Sequence, residues 1–523
     1  MARETTASFI CEVPLKATPA DERELLIRLD CGRMVYNACL SESLRRLKQL
    51  CESRAFQDAK KLSKGIRGSE AAQKRTKAFR DADELAGFRE YDLHAYAKQF
   101  GQTWVGLNRL DSLTIQKIAT RAFRAVREYH FGGKGKPRFK GKGWFDSVEG
   151  KTNTSGIRWQ SETQMVVWLG LTLPAIIKPD DKVIAHGLTC KVKFVRIVRR
   201  KLNKHTRFYA QLVCEGVPYR KSKHPLGQGV TGLDIGPSTL ATVVEESATL
   251  EHFCEELEPK QKEIRKLQRQ LDRQRRAGDP QNYNPNGTIK KGVKLEWHFS
   301  NRYVYTREQL AELRRKQAAY RKSLHGRKVN QNLAQGNIIK LEKLSYRAFQ
   351  KMFGKSVGFR GPGTFVALLR RKAANAGAEV DEFSTRTTRL SQICLCGTIA
   401  KKPLSERWHV CDCGVGPIQR DLFSAWLARF VVNDKLDVGQ AQAAWPGADS
   451  LLRAASCEIQ PAMGQGQPKP NLVLAQVGQG QSRSSVPSGE CLSEACHGAP
   501  SAVTRKLAIQ PEPPALAVGS SQQ

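Results

Sequence analysis

What the chain lacks narrows it first. None of its 523 residues lies in an apolar run near the length of a membrane span, and no secretory leader is recognisable. That argues against a membrane protein and against an exported, disulfide-stapled one. The expectation is a cytoplasmic chain with no membrane partner, its fourteen cysteines reduced thiols or metal ligands. Acidic residues are scarce too: 50 Asp and Glu face 86 Lys and Arg, a formal charge of +36. From Val431 onward the excess vanishes, with six basic residues against seven acidic, so it lies wholly in the first 430. Spread over that length it describes a long nucleic-acid-binding surface. The plainer alternative is a basic protein that is merely soluble. Past Ser456 the chain is rich in Gln, Gly, Pro and Ser with no apolar periodicity, which predicts disorder over 456–523.

The most informative stretch that is present runs from Ser391 to Phe430. Cys394 and Cys396 precede Gly397, and Cys411 and Cys413 precede Gly414. Two cysteine pairs, each turning back through a glycine, describe a zinc knuckle, because thiolates converge on one metal only where the backbone bends sharply. Arg420-Asp421 follows, then an apolar helical pattern of Leu422, Ala425, Trp426, Leu427 and Phe430. A carboxylate therefore stands at a helix start, next to a metal-clamped loop. The other ten cysteines are scattered and read as buried thiols or tail residues.

In chain order, residues 8–17 read as an edge strand stopped at Thr18-Pro19. Leu25, Leu29, Tyr36, Leu40, Leu44 and Leu47 share a helical face, and residues 50–100 continue helical without one proline. A helix over Ser112–Tyr129 leads into GGKGKPRFKGKG (132–143), where only Phe139 could join a core. Lys134, Lys136, Arg138, Lys140 and Lys142 of this loop are candidate phosphate contacts; a solvated linker is the equal alternative. From Ile157 to Val217 the segments MVVWLGLTL, KVIAHGL, TCKVKFVRIVRR and RFYAQLVCEG read as strands of a small β-barrel. If strand 8–17 belongs to it, the helices are an insertion. GVTGLDIGPSTLATVVEE (229–246) reads as strand, Gly236-Pro237 turn and strand, with Asp234 late in the first. Charged helices follow over 255–330, and then a strand, GNIIKLEKLSY, carrying Glu342.

Asp234, Glu342 and Asp421 are far apart in sequence, but a ribonuclease-H-like fold sets such elements side by side. Three carboxylates there would hold two Mg²⁺ ions about 4 Å apart for phosphodiester hydrolysis. Each acid also has a bland explanation: Asp234 as a turn former, Glu342 as a partner of Lys340 or Lys343, Asp421 as a helix N-cap.

GLDIG, the long helical insertion, LEKLS, the four-cysteine knuckle and RDLFSAWLA together resemble TnpB, the RNA-guided nuclease of insertion sequences, and the compact type V CRISPR effectors akin to it. SLTIQKIATRAFRAVREY followed by GKPRFKGK is similar to the TnpB segment before its Pro-Arg-Phe-Lys stretch. The likeness covers roughly residues 8–430. It implies an α/β multidomain protein: an RNase H-like RuvC nuclease domain with a zinc-knuckle insertion, and a wedge β-barrel interrupted by a helical recognition lobe. The wedge would comprise 1–19 and 144–226, the lobe and Gly/Lys loop 20–143, and RuvC 227–390 with its insertion at 255–335. The knuckle would span 391–416 and a C-terminal RuvC helix 417–455. Asp234, Glu342 and Asp421 would be the Mg²⁺-binding catalytic triad, and Cys394, Cys396, Cys411 and Cys413 the Zn²⁺ ligands. The partners would be a guide RNA and double-stranded target DNA bearing a short flanking motif, in a prokaryotic cytoplasm. The chain departs from the family twice: both pairs are C-x-C where C-x-x-C is usual, and Leu-Phe-Ser-Ala-Trp replaces Asn-Ala-Ala after the third acid. The resemblance thus implies an RNA-guided DNA endonuclease. Competing readings are an RNA-guided binder with weak or no cleavage and a guide-independent transposase or resolvase.

Overall fold

The computed structural model describes residues 6–457 apart from 67, 104–107, 204 and 404, so the tail expected to be disordered lies almost wholly outside the described residues. Strand β1 (Ser8–Pro14) stops before helix α1 (Pro19–Glu52), whose start is written in the sequence. Pro19 sits in its first turn, and the Thr18 side chain accepts from the Asp21 N–H while the Asp21 carboxylate accepts from the Thr18 N–H. Leu25, Leu29, Tyr36, Leu40 and Leu47 of α1 are buried, and Leu44 is partly so. Helices α2 (Arg54–Lys61), α3 (Glu70–Leu85), α4 (Glu90–Thr103) and α5 (Ser112–His130) complete a bundle in which α1 packs on α4 and α5.

Strands β2 (Ser147–Glu149), β3 (Arg158–Gln160), β4 (Met165–Trp168) and β5 (Leu171–Pro174) follow, then helix α6 (Lys182–Thr189) and the long hairpin β6 (Val192–Leu202) and β7 (His205–Glu215). β1 pairs antiparallel with β7 from Ser8↔Glu215 to Pro14↔Tyr209, giving the sheet order β1-β7-β6-β2. The expected closed barrel is corrected here. β3-β4-β5 forms a separate three-stranded sheet, joined to β1 by an isolated Leu15↔Ala175 bridge. The expected strand KVIAHGL is helix α6: the Asp181 carboxylate accepts from the N–H groups of Val183 and Ile184. Gly187 on α6 lies against Cys11, and a Cβ there would stand 2.5 Å from its sulfur, so this helix fits onto β1 only through a glycine.

The second half is built on one sheet: β8 (Val230–Ile235), β9 (Thr239–Val243), β10 (Ala248–His252), β11 (Ile338–Glu342) and β12 (Glu379–Phe383). Their order is β10-β9-β8-β11-β12, with β8, β11 and β12 parallel and β9 antiparallel to β8 and β10. Helices α7 (Gln261–Gly278) and α8 (Asn301–Gln335) form a hairpin between β10 and β11; α9 (Tyr346–Arg360) and α10 (Pro362–Ala376) lie between β11 and β12. Side-chain alternation splits the sheet into two cores. Leu233, Ile235, Ile339 and Leu341 pack with Val329, Leu333, Phe365 and Leu369 of α8 and α10. On the other side, Ala241, Val243 and Phe383 pack under the chain after β12. That chain comprises α11 (Thr385–Thr388), a short ladder of β13 (Trp408–His409) and β14 (Ile418–Gln419), α12 (Arg420–Ala428), a small hairpin of β15 (Val431–Val432) and β16 (Lys435–Leu436), and α13 (Val438–Cys457).

Candidate active site

Asp234 is the fifth residue of β8 and Glu342 the last of β11, the parallel strand beside it. The ladder runs to Leu233↔Leu341, so both carboxylates sit one step further, at the carboxyl ends of the strands. Alternation puts them on the face opposite Leu233 and Leu341. Asp421 comes down onto that face because α12 lies directly on β8. Gly232 permits this: a Cβ there would stand 1.9 Å from the Ala425 carbonyl oxygen. Asp421 is one helical turn before Ala425, as Asp234 is two residues beyond Gly232, so a glycine contact between strand and helix sets one acid against the other.

The bland roles do not describe these side chains. Asp234 lies within the strand, paired with Ala241, and does not form the turn. Lys340 gives its Nζ to the Val431 carbonyl at 2.6 Å, and no ion pair reaches Glu342 among the described residues. The N-cap of α12 is Gln419, whose side chain accepts from the Leu422 N–H; Asp421 is free for other work. Its Oδ2 accepts from Thr239 Oγ1 at 3.3 Å. Burial, then the charges of Asp421 and Glu342, push the Asp234 carboxyl well above its usual range, with Arg420 and Arg407 opposing. Burial pushes Glu342 up to about 7. The set is oxygen-only, and the charges of Asp421 and Glu342 both act against the Asp234 carboxylate, which is chemistry that fits a hard divalent ion such as Mg²⁺.

Two residues to which the sequence reading gave no role complete the surroundings. Arg407 Nη1 lies 3.7 Å from Asp421 Oδ2, and Arg420 Nε lies 3.7 Å from Oδ1. Arg420 is buried, whereas the Arg407 side chain is 54% exposed. Nothing in the spacing marked Arg407. Its placement comes from the ladder: the Arg420 N–H donates to the Arg407 carbonyl at 2.8 Å, and Trp408 pairs with Gln419.

That ladder is closed at its far end by the knuckle. The sulfurs of Cys394, Cys396, Cys411 and Cys413 all lie within 4.8 Å of one another, Cys394 to Cys413 at 3.5 Å and Cys396 to Cys411 at 3.6 Å. Tetrahedral zinc with Zn–S bonds of about 2.3 Å needs sulfurs about 3.8 Å apart, so the four thiols fit the ion despite C-x-C spacing. The two turns are built alike. Cys394 N–H donates to Thr398 O and Gly397 N–H to Cys394 O; Cys411 N–H donates to Val415 O and Gly414 N–H to Cys411 O. Gly397 at φ 83° and Gly414 at φ 90° adopt the left-handed backbone these turns require. Hydrogen bonds from Thr398 bring the Cys396 thiol down to about 6. Behind the knuckle, His409 is buried, stacked on Phe423 and held down to about 4 by burial and by Lys402.

The Gly/Lys loop is placed apart from the acids, along α1. Asn37 Nδ2 donates to the Lys140 carbonyl and Asn37 Oδ1 accepts from the Lys140 N–H. Lys134 is paired with Glu128 at 2.6 Å, while Lys136, Arg138 and Lys142 are exposed and unpaired among the described residues. Phe139, expected as the loop's core residue, is instead 39% exposed. Lys140 turns inward over Tyr36 and lines a cleft of about 670 Å³ between α1, α5 and strands β2, β6 and β7. Lys117, Arg121, Arg124 and Arg196 line it too, against Glu128, Asp146 and Glu149.

No protein-family model and no curated protein matches the chain. Among solved structures it is similar to a Cas12f1–sgRNA–target DNA complex, with a TM-score of 0.40 and 9% identity over 80% of this chain and 98% of that one. A CRISPR-Cas12f ternary complex aligns at a TM-score of 0.22 with 11% identity, over 78% of this chain and 81% of that one. Likenesses this loose fix no chemistry, and the functional reading rests on the side chains above.

Proposed function

We propose that the chain is an RNA-guided, Mg²⁺-dependent DNA endonuclease with one RuvC-type site, made of Asp234, Glu342 and Asp421. The observation that carries this is the placement of Asp234 and Glu342 at the carboxyl ends of two adjacent parallel strands, with Asp421 on the helix laid over that face and its charge acting on Asp234. The sheet order, with its second strand antiparallel, is that of an RNase H-like domain. Mg²⁺ bound there supplies an activated water and steadies the leaving 3′ oxygen. The chain's own contribution is orientation and charge. Thr239 fixes the Asp421 carboxylate, and Arg407 is exposed and close enough to the acids to meet a phosphate oxygen. Cys394, Cys396, Cys411 and Cys413 would hold a structural Zn²⁺, which would tie down the Arg407 ladder.

Guidance by RNA is supported by where the cations lie. The cleft beside α5, the exposed Gly/Lys loop and the α7 face of Lys266, Arg269 and Arg273 are too many and too dispersed for the few phosphates one active site would grip. They suit a structured RNA and a heteroduplex of about 20 base pairs, with the protein reading only a short flanking duplex. Protein expressed with its flanking locus should co-purify with a discrete RNA, and cleavage should follow changes in the guide's pairing segment. Asp234→Ala, Glu342→Gln and Asp421→Ala should each slow cleavage at least ~10³-fold while DNA binding persists. Bound RNA and target without any cutting would make the protein a guided binder. Cutting by RNA-free protein, indifferent to added guide, would make it a transposase or resolvase.

A further inference from the structure

The hairpin of α7 and α8 carries a feature that neither the acids nor the knuckle explains. The connection over 279–300 has no regular strand or long helix, yet it is tied down. Asp279 is fully buried and accepts from the His298 N–H at 3.0 Å and from His298 Nδ1 at 2.9 Å. Asn282, also buried, donates to the Glu296 carbonyl, and Arg275 donates to Tyr283 Oη at 2.8 Å while its guanidinium lies 5.2 Å from the Trp297 ring centre. Such a latch holds the next residue, Phe299, in a fixed place.

Phe299 stacks on Tyr303 with ring centres 4.7 Å apart and planes 14° from parallel, and the Arg307 guanidinium lies 5.8 and 5.9 Å from the two ring centres. Spacing of four residues puts all three on one face of the start of α8. An aromatic just before a helix commonly serves as a staple, but a staple buries its ring. Phe299 is 41% exposed, at the end of the stack. Lys290, Lys291, Lys294 and Arg302 belong to the same loop and first turn, and all are exposed.

A fixed, exposed aromatic face with an arginine beside it, on a segment rich in exposed cations, is what an unpaired base and its phosphates recognise; a paired base has no free face to offer. Resting on the RNA-guided reading, we infer that Phe299, Tyr303 and Arg307 form a stacking platform for an unpaired base of the bound RNA. Position separates this from the strand being cut. His325 on α8 stacks against Phe253, directly after β10, near the end of the sheet that holds the acids. Tyr303 is 22 residues earlier on an uninterrupted helix, about 33 Å along its axis. A base seated there is far from any bond at Asp234, so the platform anchors a strand that stays in place.

The test uses the full chain and a single-stranded oligoribonucleotide carrying 4-thiouridine. Photocrosslinks should map to the tryptic segments Leu295–Arg302 and Tyr303–Arg307. Phe299→Ala and Phe299→Leu should each weaken binding about tenfold with the salt slope unchanged, and Phe299→Trp should restore it. Leucine keeps apolar bulk without a π face, so its loss separates stacking from folding. Affinity within about twofold of wild type for both variants, or crosslinks only elsewhere, overturns the platform. An oligodeoxyribonucleotide that suppresses these crosslinks as well as RNA does overturns the assignment to RNA. The binding readout does not depend on cleavage, so failure of the nuclease reading and failure of the platform are told apart.

Discussion

Gly232→Ala is the most exacting perturbation of the strand–helix contact. The added Cβ would sit 1.9 Å from the Ala425 carbonyl oxygen and 3.0 Å from its carbon, against backbone that cannot rotate away. An ordinary contact needs more than 3 Å, so α12 must lift from β8 by about 1 Å or the strand must bend. Overpacking of this kind costs about 1–3 kcal/mol, which for a domain of this size lowers Tm by roughly 2–12 °C. The larger effect is on geometry. Asp421 rides on the lifted turn while Asp234 stays with the strand, and about 1 Å of misplacement costs on the order of 10²-fold in rate. Thermal unfolding and single-turnover cleavage at saturating Mg²⁺ measure the two. Gly354→Ala, on α9 where an added Cβ meets nothing within 4 Å, is the control and should leave both nearly unchanged. A Gly232→Ala protein that melts within a degree of wild type and cleaves within about threefold would refute the argument that this contact aligns the acids.

The raised Glu342 gives a pH signature. A glutamate in the unfolded chain releases its proton near its usual value and Glu342 only at about 7, so without metal this group's contribution is greatest at low pH and is lost as pH rises through about 7. A divalent cation takes the deprotonated form, so the Tm gain from Mg²⁺ should be larger at about pH 8 than at about pH 6, and an equal gain at both would count against carboxylate ligation. Metal analysis should find one zinc per chain, lost in a Cys411→Ser/Cys413→Ser protein; near-zero zinc in the wild type would remove the knuckle assignment. Arg407→Ala should slow cleavage by roughly 10²-fold with DNA affinity little changed, and Arg407→Lys should recover only part of that, because a single ammonium cannot replace the guanidinium fork. Full activity in Arg407→Ala would show that the arginine merely balances Asp421.

Much of the second half was legible because its signals are local. Apolar residues alternate in GLDI and IIKLE, and that period places Asp234 and Glu342 opposite the core side chains of their strands. Cysteine pairs followed by glycine announced two tight turns, and the turns are there. The barrel was misread because closure is not local: β2 has three residues and β3 pairs with β4, so the two sheets stay separate, and no single segment records that. KVIAHGL is short, apolar and partly β-branched, which suits strand and helix alike; the deciding signal was the preceding Asp181 cap, outweighed by the strands on either side. Phe139 looked like a core residue only because its neighbours are glycine and lysine, and composition says nothing of whether an apolar surface lies within reach.

Arg407 shows why the remainder of the site could not be read. Its distance from Asp421 along the chain carries no helical or strand period, and the two meet only because the knuckle folds the intervening chain back on itself. The turns at Gly397 and Gly414 bring four sulfurs together; the β13–β14 ladder then pairs Trp408 with Gln419, and the Arg420 N–H meets the Arg407 carbonyl. Zinc on the four thiols would therefore do more than stabilise a loop. With ligands drawn from both cysteine pairs, it would close the loop containing Lys401, Lys402 and Arg407, and so set the position of an arginine 3.7 Å from Asp421. Loosening the thiolates would free the ladder at its open end while Gln419 still caps α12 and Gly232 still seats it. The acids and the arginine are thus held by different contacts, the acids by the sheet and the helix on it, the arginine by the ladder that the four thiols adjoin.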